Sequence, residues 1–107
     1  MPSTQPIATD ERAGELADLF RLLGDASRLR IILACLGEPI SSGAIATGLE
    51  LSPSVVSHHL RLLRATRIVE AQRQGKQVFY VVSNEHIRGV INDMLGHLTA
   101  MHNMPDS

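Results

Sequence analysis

Hydrophobic positions along the chain fall into two rhythms, one near 3.6 and one near 2. Leu16, Leu19, Phe20 and Leu23 recur at helical spacing, which predicts a first helix over residues 12–23. Gly24 stops it, and Asp25 can cap a second helix whose apolar stripe is Leu29, Ile32, Leu33 and Leu36. Gly37 and Pro39 close that helix. Ser41 or Ser42 opens a short third helix, with Ile45 and Leu49 facing inward and an end near Gly48. Ser52-Pro53 then sets an N-cap residue before a proline at the first helical position, a strong start signal. The fourth helix runs from there to about Thr66, with Val56, Leu60 and Leu63 as its buried edge.

The rhythm changes after this helix. Ile68 to Gln72 and Gln77 to Val82 are short and β-rich, and read as a hairpin with the basic tip Arg73-Gln74-Gly75-Lys76. From about Asn84 the helical period returns through Ile87, Val90, Ile91, Met94, Leu95, Leu98 and Met101. The order α-α-α-α-β-β-α is mainly α with a small β-hairpin, a winged helix-turn-helix. Residues 1–10 read as a flexible arm and 103–107 as a flexible tail, leaving residues 11–102 as one folded domain.

Composition removes several alternatives. No apolar run approaches the ~18–20 residues of a membrane span, and the opening MPSTQPIATDERAG lacks the basic and apolar regions of a signal peptide. A single cysteine makes neither an internal disulfide nor a thiolate metal cage, which points to the cytoplasm. With 3% aromatic residues and no Trp, a stacking platform for single strands is not expected.

The net charge of −1 conceals a division. Residues 1–50 carry four basic and seven acidic side chains. Residues 51–80 carry Arg61, Arg64, Arg67, Arg73 and Lys76 against Glu70 alone, and residues 81–107 are again acidic. A cationic middle third between acidic flanks is either a phosphate footprint or a solvated helix face.

The fourth helix favours the footprint. At about 100° per residue, with Val56 facing the core, Ser54, Ser57, His58 and Arg61 point outward and Arg64 lies beside them. Short polar donors allow close approach to base edges, while Arg61 reaches a guanine edge or a phosphate. Arg73, Gln74 and Lys76 on the wing extend the same surface. Ser52 reads as a cap and His59 as a packing residue nearer the buried edge. His58 and His59 diverge as helical neighbours and do not make a metal pair.

The stretches Leu23-Gly24-Asp25-Ala26-Ser27-Arg28-Leu29-Arg30-Ile31, Leu51-Ser52-Pro53-Ser54-Val55-Val56-Ser57-His58-His59-Leu60-Arg61-Leu62-Leu63, and Arg73-Gln74-Gly75-Lys76 with Tyr80 resemble the ArsR/SmtB family of metal-responsive repressors over residues 12–102. The resemblance implies a homodimer joined through the first and last helices, bound to a palindromic double-stranded DNA operator and released by an effector.

Family members use different effector sites. The third-helix Cys-x-Cys type is absent here, where the chain reads Ser41-Ser42-Gly43-Ala44-Ile45, and Cys35 reads as a core thiol. The last-helix type places Asp-x-His near the start and a second histidine pair or His-x-x-Glu near the end. This chain has Asn84-Glu85-His86 and, eleven residues on, His97. The two imidazoles share a helix face but stand ~16 Å apart along the axis, so one ion needs His86 of one chain and His97 of another. Two positions depart from the family: Asn84 replaces the Asp, and Ala100 fills the final ligand position. His102 is a substitute donor if the helix end frays, with Asp93 and Met101 as weaker candidates and Glu85 as a further oxygen. Such a site suits Zn²⁺ first, with Ni²⁺ or Co²⁺ as alternatives.

The leading expectation is a dimeric operator-binding repressor released by a divalent metal. The alternatives are the same repressor with a degenerate metal site and another effector, or an interaction module that has lost operator binding. An enzyme is not expected, because the chain has no Gly-rich phosphate loop, no HExxH and no evident activated nucleophile.

Overall fold

The structure is a computed structural model that describes residues 9–104. Helix α1 spans Asp10–Leu23, two residues longer at its start than expected, because the Thr9 side chain accepts from the Arg12 amide and caps it. The rest of the expected arm, and residues 105–107 of the tail, lie outside the described residues. Asp25 caps α2 (Ala26–Ala34) by accepting from the Arg28 amide at 2.9 Å. The Ser41 side chain caps α3 (Ser42–Leu49). This helix runs past Gly48 and closes at Glu50, whose left-handed backbone lets the Leu51 amide reach the Ala46 carbonyl.

Helix α4 (Pro53–Ala65) begins at the Ser52 cap, with Val56, Leu60 and Leu63 buried as its period requires. Two longer strands follow, then α5 (Glu85–His102). The sheet has three strands instead of the expected hairpin's two. Ile40–Ser41 forms a short β1 against β3 (Gln77–Val81), which also pairs with β2 (Glu70–Gln74), all antiparallel in the order β1-β3-β2. A two-residue strand that runs straight into a helix cap leaves too short an alternation to see in the sequence.

One core joins these elements. Ile31, Ile32 and Cys35 of the α2 segment meet Ile45, Val56, Leu60, Leu63, Ile68, Val69 and Val82. Here the expected α2 stripe is corrected: Leu33 is exposed, while Ile31 and Cys35 are fully buried. The helix has two apolar faces, one turned into the core and one, carrying Leu29 and Leu33, turned toward α1 and α5. Ile91 is α5's one buried residue, and α1 has none. Their apolar stripes remain open, with Phe20 and Met94 each 58% exposed.

Candidate nucleic-acid interface and effector helix

The buried edge of α4 fixes what the opposite edge presents. Ser54, Ser57, His58, Arg61 and Arg64 are all exposed, as the helical wheel requires. The Ser52 hydroxyl accepts from the Val55 amide at 3.2 Å and lies 3.4 Å from the Ser54 hydroxyl, so the helix starts on a serine pair. Ser57, Arg61 and Arg64 line an open notch with Tyr80 of β3, which joins the helix to the wing. Tyr80 was not among the expected site residues. Its position in a β-rich run reads as core, and it packs on the core as well.

The wing tip is tighter than expected. Gln74 pairs with Gln77 and Arg73 with Val78, so Arg73 and Gln74 are strand residues and the turn is Gly75-Lys76 alone. Gly75 has a φ of 65° and Lys76 is not left-handed, the pattern of a type II′ turn with glycine at its first central position. Arg73, Gln74 and Lys76 are nevertheless all exposed.

His59, on the inner flank of α4, is half-buried. Its Nδ1 accepts from Nε of Arg28 at 3.4 Å, and the same guanidinium donates to the Leu22 carbonyl at the end of α1. Burial, and secondarily the Arg28 charge, lower the His59 pKa from its ordinary value. This contact ties α4 to the α1–α2 corner, and a separation of 31 residues leaves no sequence signal for it.

On α5 the expected ligands separate into two groups. Asn84, expected as an oxygen donor, is the N-cap: its Oδ1 accepts from the His86 amide at 2.9 Å and the Ile87 amide at 3.1 Å. Both lone pairs of that oxygen are thereby spent. His86, Asp93, His97 and Met101 are exposed along the helix. His102 is also exposed, but the helix continues through it without fraying, and five residues from His97 place it about 140° round the axis. Among the described residues, no three His, Cys, Asp or Glu side chains of one chain gather as a metal site.

The open apolar stripes also converge. Phe20, Leu33, Val90, Met94, Leu95 and Leu98 line one groove between α1, α2 and α5, almost wholly apolar. Among the described residues no helix is long and apolar enough to cross a membrane, so these stripes are not a bilayer span.

A family profile described as a helix-turn-helix domain matches residues 23–72. The chain is 33% identical over 88 residues to the transcriptional repressor SmtB homolog of Synechocystis, covering 82% of this chain and 67% of that protein. It is 32% identical over 85 residues to the cadmium resistance transcriptional regulatory protein CadC homolog of Staphylococcus aureus, covering 78% and 69%. Among solved structures, NolR from Sinorhizobium fredii superposes with a TM-score of 0.74 at 27% identity, covering 95% of this chain and all of that one. With a helix-turn-helix surface, a wing and these relatives, the chain is a DNA-binding transcriptional regulator, not an enzyme, and belongs to the ArsR/SmtB family.

Proposed function

We propose that the protein is a homodimeric repressor that reads a palindromic operator with α4 and the wing, and that a divalent metal at the paired last helices releases it. The observation that carries the DNA-reading part is the outward face of α4. Ser54, Ser57, His58 and Arg61 project together, Arg64 flanks them, and among the described residues neither arginine is ion-paired to a carboxylate. Ser and His donors reach base edges in the major groove and Arg61 a guanine edge or a phosphate, while Arg64 and Arg73, Gln74 and Lys76 of the wing hold phosphates. The dimer reading rests on the open groove between α1, α2 and α5, since an apolar surface of this kind marks a protein contact.

The metal reading rests on the exposed His86 and His97 and on a relative named for cadmium resistance. His86 from one chain and His97 from its partner, with Asp93 or Glu85 supplying oxygen and Met101 nearby, fit a borderline ion, Zn²⁺ before Ni²⁺ or Co²⁺. A bound ion of this class supplies a cross-link between the two last helices. The chain's own part is to present both imidazoles on one face of α5 and to anchor that helix on the core. Release then requires that the two dimer geometries differ in operator affinity, by ~1–3 kcal/mol in typical allosteric systems. A repressor with a non-metal effector is the second reading, favoured by the Asn84 oxygen being spent on the cap and by Ala100 carrying no donor.

Operator binding is tested with a duplex selected from a random pool by the wild-type protein. Arg61→Ala and Ser57→Ala should abolish binding while the dimer persists, and the wild-type affinity should fall steeply with salt. Undiminished binding by Arg61→Ala would remove α4 from the recognition role.

A further inference from the structure

We propose that Arg64, Arg67, Ser83 and Asn84 form an oxyanion site at the seam between α4 and α5. All four line one open notch, which shares Arg64 with the notch lined by Tyr80. Arg64 is in the last turn of α4, and Arg67 follows that helix in a left-handed conformation with φ 62°. The turn between them is fixed by the Arg67 amide donating to the Arg64 carbonyl at 3.0 Å and the Ile68 amide to the Leu63 carbonyl at 2.9 Å. Two guanidiniums are therefore carried on one rigid corner.

The remaining groups are also donors. The Asn84 carboxamide oxygen is spent on the backbone of α5, which leaves its NH₂ as the free half. Ser83 adds a hydroxyl, and the N-terminal end of α5 adds a positive backbone dipole. The one carboxylate lining the notch is Glu70. Among the described residues the single ion pair is Arg21 with Asp18, so Glu70 occupies neither guanidinium. Planar forks, a hydroxyl and an amide NH₂ match the oxygens of a phosphate-type anion.

Two sources carry that chemistry: a backbone phosphate of bound duplex DNA and free inorganic phosphate. The first rests on the operator-binding reading, because Arg64 also lines the notch that holds Ser57, Arg61 and Tyr80. In either case the anion would meet the cap residue of α5, two positions before His86, and so couple occupancy of this site to the effector helix.

Arg67→Gly is the informative variant, since glycine is the least strained residue in a left-handed helix-closing position and keeps the turn. Two readouts compare it with wild type: affinity for the selected duplex against salt, and the Asn84 side-chain amide resonance during a sodium phosphate titration at constant ionic strength. Loss of duplex affinity, with the slope of log K against log salt shallower by about one, identifies a DNA phosphate. A saturable Asn84 shift in wild type that vanishes in Arg67→Gly identifies free phosphate. A variant matching wild type in both overturns the site. If wild type binds no duplex at all, the repressor reading fails while the phosphate titration still decides this one.

Discussion

The guanidinium of Arg88, in the first turn of α5, donates to the carbonyl of Leu36, just past the end of α2. Its other arm donates to the Val82 carbonyl at 2.8 Å, and the Val82 amide donates to the Cys35 carbonyl at the same distance. A helix that buries only Ile91 is thus held to the core by charge-assisted hydrogen bonds at its start. Arg88→Met keeps the aliphatic stem and leaves two carbonyls without that donor. We expect a loss of ~1.5–3 kcal/mol in urea unfolding at fixed protein concentration. An unchanged midpoint would show that the apolar contacts of α5 suffice.

Acid should weaken the fold partly through His59. Burial first and the Arg28 charge second lower its pKa, with Asp25 opposing. Between the lowered folded value and the unfolded value of about 6.5, the unfolded chain binds more protons. The contribution of neutral His59 is therefore full above about pH 6.5 and lost as pH falls through the folded value. His59→Asn retains an acceptor for Arg28 and cannot titrate. Its melting temperature should fall less than wild type's between pH 7.5 and 5; parallel curves would locate the acid sensitivity elsewhere.

Cys35 should be chemically silent in the folded protein. It is fully buried, and burial pushes its thiol up to about 11. A thiol-reactive dye at pH 8 should label it only after denaturation, because the thiolate is the reactive form. Rapid labelling of the native protein would mean that the core opens around α2.

The apolar groove makes the strongest quaternary prediction. Phe20→Glu or Met94→Glu places a carboxylate in that face and should halve the mass found by sedimentation equilibrium, since an unpaired charge in a dry interface is strongly unfavourable. A variant that stays at the wild-type mass would move the dimer interface away from α1 and α5.

Legibility in the sequence followed the physics of each signal. Ser52-Pro53 and the Val56, Leu60, Leu63 edge were readable because capping and a 3.6 period are local. The period puts Leu33 on one stripe with Ile32, but α2 has two apolar faces, and a single stripe cannot describe both. The polarity of Arg73 and Gln74 resembles a loop, whereas glycine at the first turn position confines the turn to two residues. The Arg28–His59 and Arg88–Leu36 contacts span 31 and 52 residues, and single polar contacts at that range leave no periodic trace. Family resemblance points to Asn84 as a ligand, and its residue type also suits the N-cap that it forms.

Metal release is tested most sharply by operator affinity measured with and without metal. Wild type and His97→Ala are titrated onto the selected duplex in the presence of a chelator, then with Zn²⁺, Ni²⁺ or Co²⁺. One of these ions should weaken the wild-type complex by about 5–150-fold, the range of typical allosteric coupling, and leave the His97→Ala complex unchanged. Wild-type affinity indifferent to all three ions, or an equal loss in His97→Ala, would contradict metal release through the last helix.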